Sequence, residues 1–337
     1  MIPARPSRRA LLAGGLAGTI LPAAARAQAE TRLRVGALRL ASSAPVFLAQ
    51  DLGYFRDAGV AVELVFFDAA QPVAVAAASG DIDIGVTGLT AGLYNLAGKR
   101  ALGLIAGQSR ETKGFPLEAY LATPAPAGAA LQSLKDIRGR SVGITQVGSS
   151  FHYAAGLIAD KYGFPLSDIR FVPLQSMGNI ATALKGGRVD AAILPATGAQ
   201  SAIEGEGARL IGWGSDEVSW QVGAAFASAR TRAPREAIEA FLGAYKRGCA
   251  TYHDTLVTAV ADNQVRLDSK TTPLVAIIAK HCAQPPERIA RGLSFVDREG
   301  ALDLADLSRQ IAWYQAQGFV DKGFGLDAVL DGRFVRS

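Results

Sequence analysis

Apolar and polar positions along this chain alternate between a strand-like and a helix-like period, and from residue 33 onward the two periods follow a fixed order. A short apolar run at 33–38 reads as a buried strand, and 45–57 carries helical spacing. Strand-like runs at 62–67 and 82–86 then flank a second helical stretch at 72–79. The same order returns further on, as strand 141–144, helix 151–162, strand 169–173, helix 180–186 and strand 189–194. Each half therefore reads as βαβαβ.

The register of the repeat hardly drifts. An offset of 107 carries Asp83 of "SGDIDIGVTG" onto Asp190 of "GGRVDAAILP", Gly36 onto Gly143, Ser42-Ser43 onto Ser149-Ser150, Val65 onto Val172 and Gly80 onto Gly187. Each repeated aspartate stands at the entry to a buried strand, where it reads as a residue that fixes the helix-to-strand corner rather than as a catalytic acid. Ser42 or Ser43 is expected to cap the first helix, with Pro45 in its first turn and Gly59 after its end. Ser149 or Ser150 caps the matching helix, which Gly163 ends, and Asn179 is expected to cap the helix at 180–186.

Two parallel-sheet units imply two lobes, and such sheets bind ligands beyond the carboxyl ends of their strands. The segments after the strands are thus the candidate site. Arg39, Ser42 and Ser43 follow the first strand; Gln146, Ser149, Ser150 and Phe151 follow its counterpart. Both runs open a helix, whose free N–H groups and positive dipole end favour an anion. Thr87, Gly88 and Thr90 follow the third strand of the first half, and Leu194 stands before Pro195 in the second. Arg39 and Arg110 are candidates for a bidentate bond to a carboxylate or sulfonate. Trp213 is a candidate stacking surface. None of these loops carries an acid, which disfavours a cationic ligand.

Two phosphate motifs nearly form and both fail. "GITQVGSS" places Ser149 where a P-loop needs its lysine, and the glycines of "GVTGLTAG" miss the dinucleotide spacing. His152, His253 and His281 have no spacing that would gather them around a metal.

The start of the chain reads as an export signal rather than as part of the fold. Arg5, Arg8 and Arg9 precede an apolar run at 10–22 and then Ala25-Arg26-Ala27, with cleavage expected after Ala27; the paired arginines suit twin-arginine export. This changes the charge picture. The 337-residue chain has 35 basic and 30 acidic residues; losing Arg5, Arg8, Arg9 and Arg26 leaves 31 against 30, so the net charge falls from +5 to +1. The basic excess therefore gives no support to nucleic-acid or membrane binding. Cys249 and Cys282 are compatible with a disulfide in an oxidising compartment or with buried thiols.

Taken together, "PVFLAQDLGYFRDAGVAVEL", "AAASGDIDIGVTG", "LKDIRGRSVGI", "GSSFHYAAGLIADKYGF" and "ALKGGRVDAAILP" resemble the periplasmic solute-binding proteins of ABC importers. The resemblance is to the branch that takes up sulfonates, nitrate, taurine, aromatic acids or thiamine-pyrimidine precursors. It implies a two-lobed α/β periplasmic-binding-protein-like fold, each lobe a βαβαβ-based mixed sheet flanked by helices. Two hinge strands, 118–123 outgoing and 221–228 returning, would join the lobes. Residues 28–118 would begin lobe 1, 119–222 form lobe 2, and 223–337 return to lobe 1 with helices at 234–251, 273–282 and 304–317. The resemblance further implies binding without chemistry, no cofactor, and delivery of a small organic anion to an inner-membrane permease and its ATPase by a periplasmic monomer. Leu194 departs from the pattern, since many members carry an aromatic or acidic residue before that proline. An enzyme on the same scaffold would need a positioned base, for which His152 is the one visible candidate. A ligand sensor without transport is the other alternative.

Overall fold

The computed structural model describes Met1 and residues 31–124, 126–231 and 235–335. The proposed export signal lies outside the described residues. Among the described residues, no helix is long and apolar enough to cross a membrane.

Two five-stranded mixed sheets carry the chain. The first runs β2 (Val60–Phe67), β1 (Thr31–Leu38), β3 (Ile84–Gly88), β12 (Gly223–Ser228), β4 (Leu102–Gly107). In it β1 is parallel to β2 and β3, whereas β12 is antiparallel to β3 and β4. The second runs β8 (Arg170–Pro173), β7 (Ser141–Ile144), β9 (Ala191–Pro195), β6 (Glu118–Ala122), β10 (Arg209–Trp213). There β7 is parallel to β8 and β9, and β6 is antiparallel to β9 and β10. The two orders are the same, so the sequence repeat is a repeat of topology.

One difference separates them. In each sheet the single antiparallel inner strand comes from across the repeat: β12 enters the first sheet after the second is complete, and β6 enters the second straight after β4. The segments expected to be hinge strands are thus ordinary sheet members. The crossing itself is made by a two-residue antiparallel ladder, β5 (Arg110–Glu111) with β11 (Trp220–Gln221).

The repeated aspartates explain why the register is kept. Asp83 Oδ2 accepts the backbone N–H of Arg34 at 2.8 Å, and Asp190 Oδ2 accepts that of Ser141 at 2.8 Å. In return the Asp83 and Asp190 amides donate to the carbonyls of Arg34 and Ser141. Arg34 and Ser141 are themselves related by the 107-residue offset, so the same clamp ties the third strand to the first in both lobes. Gly80 and Gly187, at the corner just before it, both take left-handed φ of +84° and +63°, which a side chain disfavours.

Several local expectations need correction. The first long helix breaks into Ala44–Asp51 and Tyr54–Asp57 at Gly53, whose φ is +79°. Ser43 holds the N-cap position without a capping bond, whereas Ser149 does cap Ser150–Tyr162 by accepting the His152 amide. Ser176, not Asn179, caps Met177–Lys185; the Asn179 amide is the group it accepts. β3 runs through Thr87 and Gly88, so these residues end the strand rather than follow it.

The C-terminal helices Arg235–Thr255 and Thr271–Cys282 pack on the first lobe, burying Phe241, Tyr245, Val275 and Ile278 in one core with Val35, Val46 and Phe47. Cys249 and Cys282 are both free and buried there, which removes the disulfide from consideration. Helix Leu304–Ala316 does more than complete that lobe. Trp313 lies so close over Gly156 that a Cβ there would collide with it, and Tyr314 Oη donates to the Ser149 carbonyl at 3.1 Å.

Replacing either clamp removes hydrogen bonds from a charged acceptor at a half-buried corner. Asp83→Ala and Asp190→Ala are each expected to lower unfolding stability by about 1–3 kcal/mol. Urea titration of the two variants checks this, and Asp81→Ala, one bond from a local serine, serves as the weaker control.

Candidate functional site

The two lobes meet around a narrow cavity. Its space is about 480 Å³ including the mouth, yet a water molecule can move its centre through only about 40 Å³, so the walls form a slot. The first lobe contributes the end of β1 with Ser42 and Ser43, the end of β3 with Thr87 and Gly88, and the end of β4 with Gln108 and Ser109. From the second lobe come Thr145, Ser150, Phe151, Met177 and Pro195, at the equivalent strand ends and helix starts. Strand ends facing each other across a gap are what the repeat predicts.

The lobes touch on either side of this slot. The Ala91 amide donates to the Gly148 carbonyl at 2.9 Å, and a Cβ on Gly88 would lie 3.4 Å from Ser150 Oγ. Elsewhere Arg288 Nη2 pairs with Glu204 at 2.8 Å, and Gln200 Nε2 donates to the Arg291 carbonyl at 3.1 Å. The arrangement is a closed one.

Of the residues nominated from sequence, Ser42, Ser43, Thr87, Gly88, Ser150 and Phe151 line the cavity together. The others are placed elsewhere. Thr90 caps helix Ala91–Gly98 and gives its hydroxyl proton to Gln71 Oε1 at 2.6 Å. Ser149 is spent on its cap, and Gln146 bonds Gln175 at 3.3 Å. Leu194 is buried in the second lobe's core, leaving the wall to Pro195, and Trp213 packs at the edge of the same core.

Both arginines are also engaged away from the cavity. Arg39 donates to the His281 carbonyl at 3.0 Å and lies 3.8 Å over the Phe66 ring, in an outer groove with Asp68 and Ser176. Arg110 braces the crossing, with Nε on Gln221 Oε1 and Nη2 on the Ala301 carbonyl, each at 3.0 Å. No lysine, arginine or histidine lines the slot, and its one ionisable wall residue is Glu118.

Glu118 is the residue that sequence reasoning missed. It is fully buried on β6, and neither of its carboxylate oxygens has a hydrogen-bond partner among the described residues. Thr87 Oγ1 and Ser109 Oγ, which also line the slot, are unpartnered as well. Beside Glu118 stands a second buried acid, Glu111, whose oxygens accept the Leu117 and Glu118 amides at 3.1 and 3.0 Å. Burial pushes the Glu111 carboxyl up to about 8 against those bonds. Burial and the neighbouring Glu111 push Glu118 well above the usual range. The signal available in the sequence was an acid inside the apolar run "PLEAYLA", which a purely structural strand has no reason to hold.

His152, the candidate base, does not line the slot. It is buried edge-on to Phe171 at 4.3 Å, with Nδ1 accepting the Gly148 amide at 3.0 Å, and burial pushes it down to about 4. Among the described residues, no group of three or more His, Cys, Asp or Glu is placed to hold a metal ion.

Comparison with known proteins fixes the kinship. The NMT1/THI5 like family matches residues 41–255, all of the repeat except its first strand. The chain belongs to this family. No curated protein matches it. Its fold is shared with the ligand-binding component of an ABC-type import system from Staphylococcus aureus, solved with zinc bound, at 13% identity and a TM-score of 0.71, covering 91% of this chain and 98% of that one. It is shared too with the alkanesulfonate-binding protein SsuA from Xanthomonas axonopodis pv. citri bound to MOPS, at 20% identity, a TM-score of 0.68 and coverage of 90% and 98%. The nitrate-binding protein NrtA from Synechocystis PCC 6803 gives 13%, 0.63, and 91% and 86%. This member of the family therefore has the periplasmic-binding-protein fold.

The buried acids and His152 make opposite pH slopes. The folded state holds carboxyl protons that an unfolded chain would release above about 4.5, so stability is present below that pH and is lost as pH rises toward about 8. His152 stays neutral where an unfolded histidine charges, so its contribution is present above about 6.5 and is lost as pH falls toward about 4. Each slope has a limit of about 1.4 kcal/mol per pH unit for one proton. Chemical unfolding across pH 4–8 should show Glu118→Gln flattening the alkaline loss and His152→Gln flattening the acid one.

Proposed function

We propose that this chain is the solute-binding component of an ABC importer, exported to the periplasm, where it captures a small solute between its lobes and hands it to a membrane permease. The observation that carries this reading is the slot itself, built from equivalent strand ends of two duplicated lobes and closed by contacts on both sides. A ligand that touches both lobes stabilises the closed form by its differential affinity, and that closed form is what is presented to the permease. The structural relatives named as import-system, sulfonate-binding and nitrate-binding proteins support the role.

The placement of reactive side chains supports binding without chemistry. His152 accepts a backbone amide outside the slot, and Cys249 and Cys282 lie in the first lobe's core, where burial raises both thiols, Cys282 to about 12. The organic anion expected from sequence keeps the two helix starts as support but loses both arginines to other partners. The apolar walls of Leu38, Leu40, Phe151 and Met177 suit a solute with a hydrocarbon or ring body.

Gly88 offers the direct test, because it lines the slot with an ordinary backbone and its added side chain would meet Ser150 across the gap. Native mass spectrometry of the exported protein is expected to find a small co-purifying solute. Gly88→Val should lose it while unfolding cooperatively. A solute present at a hundred times its dissociation constant contributes about 2.7 kcal/mol, so the variant's lowered thermal midpoint is readable. Retention of the solute by Gly88→Val would place binding elsewhere.

A further inference from the structure

We propose that the slot takes a solute bearing a cationic nitrogen group, an amidinium, guanidinium or primary ammonium on an apolar body, and that Glu118 receives that group. The proposal rests on the solute-binding reading and names the class of ligand.

Glu118 stands apart from the other fully buried acids of the molecule. Asp306 accepts the Gln221 amide, Gln310 Nε2 and Arg309, and Glu111 accepts backbone amides on both oxygens. Glu118 has the same burial and no partner among the described residues, yet it belongs to the wall of the slot between the lobes. A buried carboxyl left unsatisfied is costly, and its cost is recovered when a donor arrives. The groups facing it from the packed elements are Glu111 on β5, with Asp216 beyond it, Tyr120 on β6 and Tyr314 on helix Leu304–Ala316. All are acidic or phenolic. No side chain of the lining is cationic.

The empty site therefore holds a proton. Glu111, with three backbone amides directed at it, is the first of the two to give up its proton as pH rises, and Glu118, without such bonds, keeps its own longer. An incoming cation displaces that proton and forms a charge-assisted pair with the two free oxygens, an amidinium or guanidinium fork doing so bidentately. An anion finds no cationic side chain on the wall to pair with, since Arg39 and Arg110 are committed elsewhere. Binding of the cation is thus coupled to release of one proton, and its affinity rises with pH.

The experiment compares ligands of one shape and opposite charge. Benzamidine, benzylamine and the smaller acetamidine are set against benzoate and benzenesulfonate, using the exported protein freed of solute by unfolding and refolding. Thermal midpoints identify binders, and calorimetry in two buffers of different ionisation heat counts protons. The expected result is stabilisation by at least one cation and by neither anion. Affinity should rise about tenfold per pH unit between pH 6 and 8 with about one proton released. Glu118→Gln should lose at least about tenfold in affinity together with the proton release; should that variant fail to fold, the proton count on the unaltered protein decides alone. Stabilisation by benzoate or benzenesulfonate with proton uptake would overturn the proposal, since a protonated Glu118 would then be donating to an anion. Silence toward all three cations, or equal binding of a cation by Glu118→Gln, overturns it as well. An anionic solute that co-purifies and is lost in Gly88→Val would sink this proposal alone. No solute of either charge, and no effect of Gly88→Val, would sink the binding reading beneath it.

Discussion

The exchange of one inner strand between two otherwise equivalent sheets is the constraint on which the rest of this molecule depends. Because β6 and β12 each complete the other half's sheet, the chain must cross between lobes twice in a small space, and Gln221 organises the crossing. Its side chain accepts from Arg110 and the Asp303 amide and donates to the Ser109 and Gly223 carbonyls, while its backbone bonds Asp306 and Gln310. With the side chain and backbone of Gln221 all paired, the crossing is a defined connection rather than a loose linker. The unpaired carboxyl of Glu118, at the start of the strand that leaves this crossing, is conspicuous against that background.

The repeat in sequence maps onto physical duties of two kinds. Asp83 and Asp190, Gly80 and Gly187 serve the fold: they lock the helix-to-strand corner of each lobe and would be needed whatever the solute. The strand-end residues serve the slot, and here the halves diverge. The first-lobe serine Ser43 accepts from Gln108 at 3.5 Å and lines the cavity, whereas its counterpart Ser150 lies across the gap from Gly88. Duplication supplied two similar walls, and differences between them make a site with two distinct sides.

Much of the architecture was legible because burial writes itself as periodicity. Two βαβαβ halves, their flanking helices and the clamp aspartates could be read from apolar spacing and the 107-residue offset. The strand exchange could not, since "EAYLAT" and "QVGAAFAS" read alike as apolar strands and nothing local says which sheet they join. Six of the thirteen nominated residues, among them Ser42, Thr87 and Phe151, do meet at the cavity, because strand ends are fixed by topology. The arginines failed for a different reason: a long side chain just past a strand can swing to any nearby acceptor, and Arg39 found the His281 carbonyl and Phe66. Gln108 and Ser109 satisfied the same strand-end logic as Arg110 and stand two and one residues earlier. Glu118 was hidden by being assigned to a connection.

Helix Leu304–Ala316 adds a further dimension. It follows the chain back to the first lobe, yet its Trp313 and Tyr314 rest on Gly156 and the Ser149 carbonyl of the second. These contacts hold the lobes together without touching the solute, so they set how much of the closed form exists before any ligand arrives. Apparent affinity scales with that fraction, whereas preference among solutes does not. Strength of capture and choice of cargo are thereby encoded in separate parts of the chain, and evolution is free to retune one from the terminal helix while leaving the other untouched.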